Sequence, residues 1–204
     1  MKAKYFNWKN KIDEEELKRV VNILDNDGVI IFPTDTVYGI GCNCFSTKAI
    51  KKIFSCKNRP NNKPINVLTD NYEKILSVVK EIKPKEKELI NKYMPGALTI
   101  ILKKNEAISP LLTANLDTIG VRIPSNCIAL KILESVNYPL ATTSANISGE
   151  ESGIKLADFE VDFADKVDAI IDGGESKLKV ASTIVQVDDK DNIKILRQGT
   201  LKIK

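Results

Sequence analysis

The sequence predicts an α/β protein built on a mixed sheet. Three observations carry that reading. Strand-like and helix-like patterns interleave along all 204 residues. No repeat, low-complexity tract or Pro/Gly/Ser linker divides them. A hairpin pattern, Ala181–Val187 and Ile193–Leu196 around Asp188–Asn192, finishes the chain. At this length one domain is expected over residues 1–204, with a core over about 12–199, burying roughly 70 % of the unfolded surface.

The first helix is expected over Ile12–Asn26, where Leu17, Val20, Val21 and Leu24 recur at helical spacing and Gly28 follows as a stop. Val29–Phe32 reads as a buried strand ending at Pro33. Ser46 caps a second helix whose apolar stripe is Ile50, Ile53 and Phe54. A polar loop, Lys57–Pro64, leads to a short strand Ile65–Leu68. Helices are expected over Asn71–Lys80 and Lys85–Tyr93, closed by Pro95-Gly96. Strands follow at Leu98–Leu102 and Thr118–Ile123, then a helix at Ile128–Val136 and strands at Pro139–Thr142 and Val167–Asp172.

Composition narrows the chemistry. The chain has no histidine, which excludes Ser-His-Asp and Cys-His catalysis, a histidine zinc site and a histidine pH switch. Its net charge is +4, but unevenly spread. From Thr36 to Thr69 there is no acid, while Lys48, Lys51, Lys52, Lys57, Arg59 and Lys63 are basic; from Glu150 to Glu175 acids dominate. A basic island in a nearly neutral protein suits an anionic ligand or partner; a solvated lysine-rich helix face is the other reading of Lys48, Lys51 and Lys52. Cys42, Cys44, Cys56 and Cys127 contain no Cys-x-x-Cys and form no disulfide frame. Met1–Asn10 has no signal-peptide character and no apolar run approaches the ~20 residues of a membrane span. A soluble, cytoplasmic protein is expected.

Neither a P-loop nor a Gly-x-Gly-x-x-Gly after a strand is present. Three other segments concentrate polar groups. Pro33-Thr34-Asp35-Thr36-Val37-Tyr38-Gly39 places hydroxyls and a carboxylate at the carboxyl end of a buried strand, where open α/β sheets bind ligands; a self-satisfied turn is the alternative. Lys57-Asn58-Arg59-Pro60-Asn61-Asn62-Lys63-Pro64 sets three cations in a loop pinned by prolines. If that loop is extended, Lys57 and Arg59 project to one side and grip one anion; a solvated loop or an RNA-backbone contact are the alternatives. Tyr138 to Gly149 carries twelve uncharged residues, six of them hydroxyl or amide, which suits directional hydrogen bonds to a ligand or a capped turn.

Together these pieces resemble the YrdC-like family, the threonylcarbamoyl-AMP synthases, from about Ile12 to Gly199. Pro33–Gly39, Lys57-x-Arg59 with Pro60, Pro95-Gly96 before Leu98-Thr99-Ile100, Val121-Arg122-Ile123-Pro124, Ser144-x-Asn146, Ser182–Val185 and Leu196-Arg197-x-Gly199 occur in the family's order. The resemblance implies a single-domain twisted mixed sheet with flanking helices around a positively charged cavity, in the short form without a further C-terminal domain. It implies a nucleotidyltransferase that converts L-threonine, bicarbonate and ATP to threonylcarbamoyl-adenylate and pyrophosphate, for threonylcarbamoyladenosine modification of tRNA beside the anticodon.

By that resemblance Lys57 and Arg59 are catalytic and contact the triphosphate or the carboxylated intermediate. Thr113, Ser144, Asn146 and Arg197 face the nucleotide, and Thr34, Arg122, Thr142 and Ser182 face threonine. No carboxylate cluster reads as a metal site, so Mg2+ is expected to arrive on the ATP phosphates. The downstream tRNA threonylcarbamoyl-transfer machinery is the implied partner, with direct tRNA or double-stranded RNA contact also open. Many members carry a histidine where this chain has Leu68, and Ala181 stands where an acid is frequent. Two other readings remain: an RNA-binding module without catalysis, and a related carbamoyl-adenylate enzyme of the same fold. An adenylation by amine and carbonate, aligned by cations, fits a chain without histidine.

Overall fold

A computed structural model describes residues 3–159 and 161–203. Among these, ten strands form one sheet: β1 (Lys4–Asn7), β2 (Ile30–Phe32), β3 (Gly39–Asn43), β4 (Asn66–Leu68), β5 (Leu98–Lys103), β6 (Thr118–Arg122), β7 (Leu140–Ser144), β8 (Ala169–Asp172), β9 (Thr183–Val187) and β10 (Ile193–Arg197). Their order is β1-β8-β2-β3-β7-β4-β6-β5-β9-β10. The sheet is mixed, as expected. β1–β8, β2–β8, β4–β6 and β5–β9 are parallel, and the other neighbours antiparallel. Six helices accompany it: α1 (Glu14–Asp25), α2 (Thr47–Cys56), α3 (Tyr72–Leu76), α4 (Pro84–Tyr93), α5 (Cys127–Glu134) and α6 (Val161–Ala164).

Local chemistry explains the helix limits. Asp13 caps α1, its Oδ1 accepting from the amides of Glu15 and Glu16 at 3.0 and 2.9 Å, and three glutamates complement the helix dipole. Ser46 caps α2 through the Ala49 amide at 3.1 Å, and Ile50, Ile53 and Phe54 are buried as their spacing predicts. The helix expected over Asn71–Lys80 stops at Leu76. Beyond it Val78 and Val79 turn inward to bury, and Val79 bridges Lys104 at the end of β5.

Two strands were not expected. β1 pairs with β8 upstream of the predicted core limit at Ile12, and Phe6 and Trp8 are buried, so the core begins earlier than the sequence suggests. β3 has the composition Gly-Ile-Gly-Cys-Asn, without strand alternation. Its glycines are steric: a Cβ on Gly39 would sit 2.8 Å from Thr142 Cγ2, and one on Gly41 2.9 Å from the Phe32 ring.

The core has two parts. α1 and α5 pack through Leu17, Val20, Leu24, Ile128 and Ile132 with Ile30, Phe32 and Leu140. α2 and α4 pack through Ile50, Ile53, Leu89 and Ile90 with Ile40, Val67, Ile100, Val121 and Val185. Of the cysteines, Cys42, Cys44 and Cys56 are buried and unpaired; burial pushes their thiols up, away from reactivity.

Candidate active site

Strand periodicity builds the site. In β4, β6, β5 and β9 one set of alternating residues (Val67, Ile119, Val121, Leu98, Ile100, Val185) enters the core. The opposite set lines a cavity of about 700 Å³: Asn66 and Leu68, Gly120 and Arg122, Thr99 and Ile101, Ile184 and Gln186. That volume lies in the range of small-molecule sites. Among the described residues the lining contains four cations, Arg59, Lys63, Arg122 and Arg197, and no Asp or Glu. Such an interior favours an anion.

The turn after β2 is both a self-satisfied turn and part of this wall. Thr34 Oγ1 donates to Val37 O at 2.6 Å and accepts from the Thr36 amide at 3.2 Å. Arg122, 5 % exposed, reaches the same turn from the end of β6. It donates through Nη1 to Thr36 Oγ1 (2.8 Å), through Nη2 to Asp35 Oδ1 (2.7 Å) and through Nε to Gly96 O (2.8 Å). Three of the guanidinium's five donors are therefore committed, leaving two for a ligand. Burial pulls its pKa below the usual value and the Asp35 carboxylate counters this; an arginine stays charged regardless.

Across the cavity, Arg197 donates to Ser182 O and Ser182 Oγ, both at 3.0 Å, and Ser182 Oγ meets Thr99 Oγ1 at 2.8 Å. A bulge between Ile195 and Arg197 interrupts the β9–β10 register. Such an irregularity breaks the strand's alternation, and the consecutive residues Leu196 and Arg197 both line the cavity.

Thr34, Arg59, Arg122, Thr142, Ser144, Ser182 and Arg197 thus surround one cavity. Three other expected residues do not line it. Lys57 is not in an extended stretch beside Arg59: it is the αR cap of α2, and Asn58 follows at φ 48°. Its side chain is 1 % exposed, with the ammonium donating to Ser144 O, Asn146 O and Asn146 Oδ1. Burial, with Arg59 adding repulsion, pulls its pKa down to about 7. Asn146 faces a small crevice of about 30 Å³ beside Glu150 and Phe159, and accepts from Ser144 Oγ at 2.5 Å. Thr113 is fully buried, its hydroxyl donating to Leu116 O at 2.8 Å; Leu116, three residues on, is the one that reaches the cavity.

The basic island divides in the same way. Lys48 pairs with Asp27 at 3.2 Å and Lys52 with Asp168 at 3.7 Å, so both belong to the helix face. Arg59 closes its own loop onto Lys63 O and Pro64 O, and only Arg59 and Lys63 of the island line the cavity. The reading of the sequence missed Asn66, Leu116, Ser152 and Gln186 as lining residues. Asn66 and Gln186 were within reach of the alternation argument, two residues from Leu68 and Ile184. Ser152 carried no signal.

Comparison with known proteins gives the context. The family model Sua5_yciO_yrdC, described as "Telomere recombination", matches residues 22–199. A threonylcarbamoyl-AMP synthase of Pyrococcus abyssi is 35 % identical over 97 % of this chain, and the chain spans 58 % of that protein's length. A putative threonylcarbamoyl-AMP synthase of Methanocaldococcus jannaschii is 38 % identical over 95 % of the chain and 92 % of its own length. The structure of P. abyssi Sua5 complexed with L-threonine superposes with a TM-score of 0.92 at 35 % identity, covering 97 % of this chain and 58 % of that one.

Proposed function

From the premise that the chain belongs to the Sua5/YciO/YrdC family, we propose that it synthesises threonylcarbamoyl-adenylate from L-threonine, bicarbonate and ATP, releasing pyrophosphate. The observation that carries the proposal is one cavity, lined among the described residues by no carboxylate, that joins Arg122, held by the Thr34–Thr36 turn, to Arg59, Lys63 and Arg197. The two unspent donors of Arg122 suit the carboxylate of an amino acid, and the threonine-bound P. abyssi relative supports that class of ligand. The hydroxyls of Thr34, Thr142 and Ser182 stand around the same space.

The chemistry asks little of an acid or base. The neutral amine of threonine adds to CO2, formed from bicarbonate, and gives a carbamate. A carbamate oxygen then attacks the α-phosphorus, and pyrophosphate leaves. What the protein supplies is alignment and cations facing the phosphates. Among the described residues no carboxylate lines the cavity, so none there would hold the amine protonated. Ser144 sits on the β7 wall toward the nucleotide, and Lys57 and Asn146 shape that wall from behind.

No group of His, Cys, Asp or Glu among the described residues is arranged to hold a metal. The donor set therefore fits Mg2+ only as the ion carried by ATP's phosphates, whose charge it would neutralise. No helix among the described residues is long and apolar enough to cross a membrane. In this reading the product supplies the tRNA-modifying machinery of the cytoplasm. The test is pyrophosphate release: it is expected only when L-threonine, bicarbonate and ATP are all present. Release indifferent to threonine would overturn the proposal.

A further inference from the structure

We infer that Asp35, which stands behind the cavity wall, is a positioning residue for the amino-acid substrate: it aims the Arg122 guanidinium so that the two unspent N–H groups meet the substrate's carboxylate. The inference rests on the reading of Arg122 as that carboxylate's partner, and it adds the residue through which Arg122 is set.

Thr34 and Thr36 line the cavity, whereas Asp35 between them is buried and does not. Its negative charge therefore meets the guanidinium from the protein side and leaves the cavity side to a ligand. The pair is made through one oxygen. Oδ1 accepts from Arg122 Nη2 and from the Ser125 amide, while Oδ2 is buried with no hydrogen-bond partner among the described residues. A fork-on-fork pair would consume two guanidinium N–H groups. This clasp consumes one, so a second hydrogen on Nη2 and one on Nη1 stay uncommitted. A buried carboxylate oxygen without a partner weakens the pair as a source of stability. What the arrangement secures is direction.

Asp35 is itself fixed by segments distant in sequence. Its carbonyl accepts from the Leu178 amide at 2.9 Å, in the connection from β8 to β9, and Ser125 lies in the connection from β6 to α5. The side chain cannot turn without giving up Ser125 and Arg122 together. Gly96 O and Thr36 Oγ1 hold the other two guanidinium nitrogens. The plane of Arg122 is thus defined at three points, of which Asp35 supplies the charged one. An arginine fixed before the ligand arrives has no rotamer entropy left to lose on binding it.

Equilibrium binding of L-threonine and of L-threonine amide, which lacks the carboxylate, tests this, with the fluorescence of buried Trp8 confirming that each variant is folded. Wild type is expected to prefer threonine by about tenfold or more. Asp35→Ala should bring the two ligands within about threefold by weakening threonine alone. Asp35→Asn, which keeps an acceptor for Arg122 and Ser125, should retain the preference. Asp35→Glu keeps the ion pair but displaces the guanidinium; it should behave as Asp35→Ala does, and it decides the matter if Asp35→Ala does not fold. In pyrophosphate release Asp35→Ala should raise KM for threonine about tenfold, with kcat and KM for ATP within about twofold, because the carboxylate contact is alike in ground and transition states. A folded Asp35→Ala or Asp35→Glu protein that keeps the preference, an Asp35→Asn protein that loses it, or a KM for ATP that rises in step with that for threonine would overturn the assignment of Asp35 alone. A wild type that binds threonine no better than its amide would refute the reading of Arg122, and the assignment with it.

Discussion

Removing Asp35 should unfold this protein more readily than any loss of surface charge, because of what is left behind. Asp35 and Arg122 are 4 % and 5 % exposed, and Asp35 Oδ1 accepts both from Arg122 Nη2 (2.7 Å) and from the Ser125 amide (3.1 Å). Asp35→Ala strands a buried guanidinium and a buried N–H. With charge centres about 4 Å apart and an effective dielectric near 20, the lost attraction is about 4 kcal/mol. The orphaned amide adds about 1–3 kcal/mol. Arg122 keeps Gly96 O and Thr36 Oγ1 as acceptors, which offsets part of this. Removal of one partner from a buried pair typically costs about 3–5 kcal/mol. For a chain of this size that corresponds to a fall in Tm of roughly 6–20 °C. Asp35→Asn keeps an acceptor for both donors and should lose about half as much. Urea unfolding followed by the fluorescence of Trp8, the single tryptophan and 2 % exposed, reads both variants. An Asp35→Ala protein within about 1 kcal/mol of wild type would refute the reasoning, as would equal losses in the two variants.

Two more outcomes follow from the same geometry. A Cβ on Gly120 would lie 2.1 Å from Asn66 Oδ1, a side-chain tip free to swing away, whereas one on Gly199 would lie 2.3 Å from Ala181 O, which is backbone. Gly120→Ala should therefore fold with a loss under about 1 kcal/mol yet intrude on the cavity floor and weaken ATP or threonine binding, while Gly199→Ala should cost about 2 kcal/mol or more; equal Tm losses would contradict this. The burial of Lys57 lowers its pKa from the usual 10.5 to about 7. Between those values the unfolded chain holds the extra proton, so this residue's cost is fully present below pH 7 and stability rises with pH through the window. Urea unfolding from pH 6.5 to 9.5 should show wild type gaining about 2–4 kcal/mol relative to Lys57→Met; parallel curves would rule it out.

Much of the fold was legible because the strands around the cavity obey simple alternation. Leu98–Leu102 and Thr118–Ile123 place one apolar set in the core, and the polar residues between them, Thr99 and Arg122, became the site. β3 escaped notice because glycines stand where neighbouring side chains leave no room, a reason located in Phe32 and Thr142 rather than in β3 itself. Lys57 and Thr113 have the side chains of ligand-binding residues, and charge or hydroxyl content does not show that both are spent on backbone carbonyls. Such bonds depend on which loops meet in space. Leu116 and Leu196 reach the cavity through a clasped turn and a bulge, which a period-two pattern does not encode.

The placement of β9 between β5 and β10 also bears on the moment at which the protein becomes competent. Thr99 and Ser182, which touch side by side on the cavity wall, are 83 residues apart, and Tyr5 meets Asp172 across 167. The wall carrying Thr34 is synthesised before the wall carrying Ser182 and Arg197. Pairings of this range form slowly. A nascent chain that has not yet reached β9 leaves the edge of β5 unpaired and lacks the cavity wall that Ser182, Ile184 and Gln186 provide.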